Sequence, residues 1–280
     1  MIKVVNTIEE IEKTVSREKS SGKSIGLVPT MGYFHDGHLS LMKKSVEEND
    51  ITITSLFVNP TQFGANEDLD KYPRDHEKDT KLADETGVDY LFIPAPETMY
   101  PDGYHTYVKV EDWSEKLCGI TRPIHFRGVT TICLKLFNIC DADRAYFGLK
   151  DAQQYLIINK MVKDLNMKVK IVPLPTFREA DGLAMSSRNV YLDEVQRKDA
   201  TLLYKGLSRA KSLIENGENK SDFIASEINK VISGSELIKI DYIKIVDTNS
   251  LIPVDEIRQG TLIALAAYLG NTRLIDNIII

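Results

Sequence analysis

Ile8, Ile11 and Val15 recur at helical spacing behind Thr7 and Glu10, which have the form of a capping box, and Ser20-Ser21-Gly22 ends the run. This predicts a first helix. It delivers the chain to Ile25-Gly26-Leu27-Val28, a short apolar run bounded by Gly and Pro, as in a buried parallel strand. Leu39, Leu41, Met42 and Val46 supply the apolar positions of a second helix, and the β-branched run Ile51 to Val58 reads as a second strand, ending at Asn59-Pro60-Thr61-Gln62. An acidic helix from Asp75 to Thr86 leads to a third strand, Val88 to Pro94. Residues 94–128 have no period and contain Pro94, Pro96, Pro101 and Pro123, so they read as a functional or covering connection with Trp113 as a packing anchor. The alternation then resumes with a helix from Val129 to Ile139, a strand Arg144 to Phe147, a helix Ala152 to Leu165 and a strand Val169 to Val172.

Pro173 and Pro175 mark a boundary near residue 175. Beyond it, Val195 to Ile214 and Ser221 to Ile232 are helical patterns, and Ile240 to Val246 and Thr261 to Leu269 alternate as strands. The fold class expected is α/β: a Rossmann-like, doubly wound parallel sheet over residues 1–175 with a smaller α+β C-terminal domain over 176–280, suited to act as a lid. There is no internal repeat and no low-complexity segment.

Composition narrows the function classes. With 280 residues, 42% of them apolar, the chain can bury a substantial core. A net charge of −6, with Lys and Arg interspersed among acids, argues against nucleic acid as a partner. Cys118, Cys133 and Cys140 lack metal-ligand spacing and are expected to be reduced, buried packing residues, while His76 and His105 read as surface residues. The apolar run at Met1–Val5 is too short for a signal peptide, and nothing approaches the roughly 20 apolar residues of a membrane span, so the expected location is cytoplasmic, with no membrane partner.

The chemistry gathers at strand ends. Between the first apolar strand and its helix stands Val28-Pro29-Thr30-Met31-Gly32-Tyr33-Phe34-His35-Asp36-Gly37-His38. A helix N-terminus carries roughly half a positive charge and unpaired N–H groups, Gly32 and Gly37 allow close approach, and the two imidazoles can donate to phosphoryl oxygens. An isolated H-x-G-H is as readily two surface histidines, and it is the preceding buried strand that favours function. In open parallel sheets ligands bind beyond the carboxyl ends of the strands, which places Thr30-Met31 and Asn59 to Gln62 at one crevice. Lys150-Asp151 follows a strand, where the lysine could neutralise a leaving pyrophosphate and the carboxylate hold ribose hydroxyls. Asp181 to Asn189 combines small residues, two hydroxyls and Arg188, and reads either as a linker with a helix cap or as a mobile phosphate clamp. Gln62 and Gln154 are neutral, which suits anchoring a carboxylate that must itself react.

Pro29-Thr30-Met31-Gly32 followed by His35-Asp36-Gly37-His38 resembles the signature of the pantothenate synthetase family, within the nucleotidylyl-transferase superfamily. Phe57 to Gly64, Tyr72-Pro73-Arg74, Arg122 to Phe126, Gly148 to Gln154 and Arg178 to Asn189 extend the resemblance, in order, over nearly the whole chain. Tyr33-Phe34 and Leu149 depart from the commonest pattern but only flank the functional side chains, and the segment around Met185 resembles the Lys-Met-Ser-Lys-Ser loop of class I aminoacyl-tRNA synthetases.

The resemblance implies that pantoate, β-alanine and ATP give pantothenate, AMP and pyrophosphate through a pantoyl adenylate. It implies ATP contacts at Thr30, Met31, His35, His38, Gly148, Lys150, Asp151, Phe177, Met185, Ser186, Ser187 and Arg188, with His35, His38, Lys150 and Arg188 catalytic. Asn59, Gln62 and Gln154 would bind pantoate or β-alanine, Mg²⁺ would arrive with ATP, its protein ligands left unassigned, and the protein would be a homodimer. His125 and Arg127 are weaker candidates outside the catalytic set. Two rivals remain: a nucleotidylyl transferase that leaves the nucleotide on its product, and a non-catalytic nucleotide sensor on the same fold.

Overall fold

The computed structural model describes residues 1–65, 67 and 69–280. The chain divides into two compact units, the first made of Met1–Glu115, Gly119–Gly148 and Gln153–Pro175, the second of Lys116–Cys118, Leu149–Ala152 and Thr176–Ile280.

Up to Leu174 the elements are β1 (Lys3–Val5), α1 (Ile8–Ser20), β2 (Ile25–Thr30), α2 (Asp36–Glu48), β3 (Ile51–Leu56), α3 (His76–Thr86), β4 (Tyr90–Phe92), the single turns α4 (Pro96–Met99) and α5 (Cys118–Thr121), α6 (His125–Cys140), β5 (Arg144–Gly148), α7 (Ala152–Asp164) and β6 (Lys170–Leu174). The six strands form one sheet in the order β1-β4-β3-β2-β5-β6, every neighbouring pair parallel. The chain winds outward from β2 through β3 to β4, then returns to lay β5 on the other side of β2. In open parallel sheets such a reversal marks the place where ligands bind, beyond the carboxyl ends of the strands, here β2 and β5.

All six residues of β3 are buried, the polar Thr52, Thr54 and Ser55 among them, and Val28, Met42, Leu91 and Tyr146 pack into one cluster. Gly26 is required for close packing, because a Cβ there would lie 2.2 Å from Ser45 Oγ and 2.4 Å from Asn49 Nδ2 on the α2 side of the sheet. Thr7 caps α1 by accepting the Glu10 N–H at 3.2 Å, while the Glu10 carboxylate pairs with Lys3 at 3.0 Å rather than closing the box.

The second unit holds α8 (Glu194–Glu215), α9 (Ser221–Ile232), β7 (Ile238–Asp247), β8 (Thr261–Leu269) and β9 (Thr272–Ile279), its strands antiparallel in sequence order. Leu203, Leu207, Ile224 and Ile228 of the helices pack with Ile263, Leu265 and Ala267 of β8.

The elements differ from the sequence reading at several places, among them the single turns α4 and α5 within the stretch 94–128 expected to have no period. β1 spans only three residues, too few to show a period, and becomes a strand by pairing with β4. β9 follows a two-residue loop, Gly270-Asn271, with Gly270 at φ 57°, a hairpin signal that the reading did not use. α6 begins at His125, four residues early, because Gly128 is inside the helix as a close-contact residue and not before it. His76 and His105 are exposed and Trp113 half-buried. The three cysteines are buried and in no disulfide, and burial pushes the Cys133 and Cys140 thiols up to about 12. Cys118 is more than packing, with Sγ 3.1 Å from the Tyr242 hydroxyl. No helix among the described residues is long and apolar enough to cross a membrane.

A buried carboxylate ties α1 to β4. Glu18 accepts from Lys23 at 2.8 Å, from Arg17 at 2.6 Å and from the Tyr90 hydroxyl at 3.0 Å, and the Lys23 and Arg17 bonds bring its pKa down from 4.5 to about 2. A carboxylate with a depressed folded pKa stabilises above its unfolded pKa and loses that contribution as pH falls through the folded one. Glu18→Gln is therefore expected to cost about 1 kcal/mol at pH 7, modest because Arg17 and Lys23 are themselves solvated. Denaturant unfolding at a series of pH values should show the gap to wild type closing between pH 4.5 and about 2. A gap that does not change with pH would mean the Glu18 charge is not what stabilises.

Candidate active site

β2 ends at Thr30, whose hydroxyl donates to the Ser55 carbonyl at 2.6 Å and accepts the Gly32 N–H at 3.3 Å. The turn that follows is left-handed at Gly32 (φ 86°) and Tyr33 (φ 55°), and a non-glycine residue in that region costs about 1 kcal/mol or more. Asp79 of α3 holds it there. This carboxylate is fully buried, with Oδ2 accepting the Tyr33 N–H at 2.7 Å and Oδ1 the Phe34 N–H at 2.6 Å. Burial raises its pKa, against the lowering effect of the two N–H bonds. A Cβ on Gly32 would meet Asp79 Oδ2 at 3.0 Å, so only glycine fits without displacement.

The fixed turn sets both histidines. His35 is the N-cap of α2 and His38 lies in its first turn, with ring centroids 4.1 Å apart. The His35 backbone N–H donates to His38 Nδ1 at 3.4 Å, which puts the proton of a neutral His38 ring on Nε2. Met31, His35 and His38 are half-buried.

Beyond β3, the chain turns through Pro60–Gln62. Asn59 is fully buried and its amide is used entirely within the protein: Nδ2 donates to Gln62 Oε1 (2.9 Å) and the Gly128 carbonyl (3.0 Å), and Oδ1 accepts from Thr61 N (3.3 Å) and Oγ1 (2.9 Å). Asn59 orients Gln62. With its Oε1 engaged, Gln62 keeps Nε2, which has no acceptor among the described residues. Gly128 lets α6 approach this turn, since a Cβ there would lie 2.4 Å from the Thr61 carbonyl oxygen. His125, buried, places Nδ1 3.1 Å from the Gln62 carbonyl, and Arg122 reaches both that carbonyl (3.3 Å) and His125 Nε2 (3.3 Å). His125 supports the Gln62 turn from behind. Arg127 stacks over Tyr107 at 4.5 Å. Gln154 is half-buried on α7, after β5, with no hydrogen bond to its amide among the described residues. β3 and β5 flank β2, so Gln62 and Gln154 stand beyond strands on either side of the histidine turn. Gly148, the last residue of β5, has open space where a Cβ would be.

The second unit holds the remaining candidates. Leu149–Asp151 forms one 3-10 turn, in which Lys150 Nζ and Asp151 Oδ2 are 3.5 Å apart. Phe177 to Met185 folds back on itself: Met185 N–H donates to the Phe177 carbonyl at 3.0 Å and Glu179 N–H to that of Leu183 at 2.9 Å. Gly182 makes the reversal at φ 92°, where a Cβ would collide with Tyr204 at 2.1 Å. Arg197 clamps the base through Glu179 (2.6 Å) and Asp181 (2.8 Å). Ser186 caps the turn Ser187–Tyr191 by accepting the Arg188 N–H at 3.3 Å. Phe177 is 40% exposed, Met185, Ser186 and Arg188 are half-buried, and Ser187 is buried. The helix-cap reading of this segment is thus realised in Ser186, with the hydroxyl and cation next to it.

The pantoate–beta-alanine ligase family model matches residues 3–279. The chain belongs to that family. It is 54% identical over 279 residues to the pantothenate synthetase of Acetivibrio thermocellus, covering 100% of this chain and 99% of that one. The crystal structure of pantothenate synthetase from Thermus thermophilus superposes with TM-score 0.94 at 41% identity, covering 99% of each chain. The pantoate–beta-alanine ligase of Francisella tularensis, complexed with beta-gamma ATP and beta-alanine, gives TM-score 0.80 at 33% identity, over 100% of this chain and 98% of that one.

Within this pantoate–beta-alanine ligase fold, sequence reasoning missed Asp79, Gly128 and Asn277, which build the site without belonging to its motifs. Asp79 lies in an acid-rich helix where nothing distinguishes it from Glu77 or Asp84 except its complete burial. Amide exchange tests its role. In Asp79→Ala, protection of the Tyr33 and Phe34 amides should fall at least about tenfold while the interior of β2 keeps its own, the scale of losing a buried acceptor. Unchanged protection would mean the turn holds itself.

Proposed function

We propose that this protein condenses pantoate with β-alanine using ATP, giving pantothenate, AMP and pyrophosphate through an enzyme-bound pantoyl adenylate. Family membership supports the ligase reaction. The observation that carries the mechanism is the H-x-G-H turn, fixed by Asp79 at the N-terminus of α2 beside the switch point of the sheet, with a His38 proton assigned to Nε2.

In the first step a pantoate carboxylate oxygen attacks the α-phosphorus, a P–O bond forms, and the bond to pyrophosphate breaks. The carboxylate is already ionised at neutral pH, so the step needs charge stabilisation on the phosphates rather than a base. We assign this to His35, His38, Lys150 and Arg188, with Ser186, Ser187 and the backbone of the turns, and the nucleoside to Thr30, Met31, Gly148, Asp151, Phe177 and Met185. Gln62 and Gln154 are assigned to pantoate as neutral donors that orient the carboxylate without over-stabilising it, and Asn59 acts by orienting Gln62. In the second step the β-alanine amine, unprotonated, attacks the activated carbonyl carbon, loses a proton, and the bond to AMP breaks. ATP is taken with Mg²⁺, which would supply further charge neutralisation on the phosphates, its protein ligands left unassigned. The C-terminal unit as a lid and a homodimeric assembly are proposals resting on the resemblance.

Incubation with ATP, pantoate and β-alanine tests the reading. AMP and a new amide in equal amounts are expected, whereas a stable nucleotidyl product would mean a nucleotidylyl transferase, and binding without turnover a sensor. His38→Ala should lower kcat of adenylate formation by about 10² or more, the scale for one preorganised donor. A raised KM alone would reduce His38 to an ATP-holding residue. In calorimetric titrations Gln62→Ala and Gln154→Ala should each weaken pantoate by roughly 1–3 kcal/mol and leave ATP affinity intact. Equal losses for both ligands would instead indicate a general distortion.

A further inference from the structure

β9 carries two neighbouring polar residues, Asp276 and Asn277, both buried in a strand that is otherwise mostly apolar. Asn277 Nδ2 donates to the Leu149 carbonyl at 2.9 Å and the Lys150 carbonyl at 2.8 Å. Asp276 accepts both arms of Arg178, Nη1 to Oδ2 at 2.7 Å and Nη2 to Oδ1 at 2.9 Å, and Oδ1 also accepts the Asn277 backbone N–H at 2.7 Å. Arg178 in turn donates to the Gly182 carbonyl at 3.1 Å and lies 4.2 Å above the Tyr204 ring, so it braces the reversal that leads into Ser186–Arg188. Successive residues of a strand face opposite sides, so one dipeptide grips two different loops. One is the turn that carries Lys150, the other the segment that carries Arg188.

We propose that Asn277 is the positioning residue for Lys150, and that Asp276, through Arg178, positions Arg188, so that β9 sets the spacing of two phosphate-handling cations. The inference rests on the assignment of Lys150 and Arg188 to the triphosphate. The physical reason is leverage. A lysine or arginine side chain is long and flexible, so the place of its cation is only as well defined as the backbone it grows from, and a misplacement of about 1 Å can cost of the order of 10²-fold in rate.

The test is pantoate-dependent exchange of labelled pyrophosphate into ATP, at saturating substrates, for single and double variants of the whole protein. Asn277→Ala is expected to lower kcat about tenfold in the wild-type background and about tenfold in Arg188→Ala, but less than about twofold in Lys150→Ala, where the group it positions is already gone. Asp276→Asn should show the opposite pattern, its effect vanishing in Arg188→Ala and persisting in Lys150→Ala. Thermal melting accompanies each variant, and Asn277→Asp, which keeps the shape while removing both donors, replaces Asn277→Ala if that protein does not fold. Equal losses in both backgrounds, with a matching fall in Tm, would make the dipeptide a structural brace and overturn the proposal. A Lys150→Ala protein with unimpaired exchange would instead remove the Lys150 assignment itself, and the inference with it.

Discussion

A carboxylate buried with no ion pair among the described residues is an expensive group, and in the first unit one such group decides where the chemistry can stand. Asp79 is offset by two backbone N–H bonds, from Tyr33 and Phe34. Those bonds keep Tyr33 in a left-handed conformation and close the turn so that α2 starts at His35, directly beyond the end of β2. Without them the two imidazoles would sit on an ordinary loop. With them, His38 is placed in the first turn of a helix, where the unpaired N–H groups and the macrodipole favour an anion.

The same logic recurs in the second unit. Asp276, 2% exposed, is matched by the bidentate guanidinium of Arg178, and breaking such a pair from one side leaves a buried charge uncompensated. Both carboxylates act on backbone: one holds the histidine turn, the other the reversal at Gly182 that precedes Ser186. Glycines complete the arrangement where loops and helices must touch, as at Gly128 against the Thr61 carbonyl and at Gly182 against Tyr204. The groups assigned to substrate are therefore carried by segments whose own polar atoms are largely satisfied, which is how a site can be held to the tolerance that positioned chemistry needs.

Charge is distributed by role. The groups assigned to phosphate are cations, hydroxyls and helix-end donors, whereas the groups assigned to the reacting carboxylate are the neutral amides of Gln62 and Gln154. An amide can orient a nucleophilic carboxylate without lowering its energy as much as an ammonium would, so less of the binding energy opposes the step. Asn59 contributes by occupying Gln62 Oε1, which leaves that side chain oriented with its donor end free among the described residues.

Sequence alone determined the alternation of strands and helices, the parallel sheet and the helices and strands of the C-terminal part, because each depends on local periodicity or on residue types close together in the chain. Thr7 as a cap, the apolar run of β2, the β-branched run of β3 and the H-x-G-H turn are all of that kind. What only the tertiary structure decided are the partners separated by long stretches of chain: Asp79 with Tyr33, Asn59 with Gly128, Asn277 with Lys150, Asp276 with Arg178. An aspartate in an acidic helix and an Asp-Asn pair in a C-terminal strand carry no local mark of what they hold. Their roles come from burial, which forces a polar group to find a partner, and burial is a property of the folded chain and not of the segment.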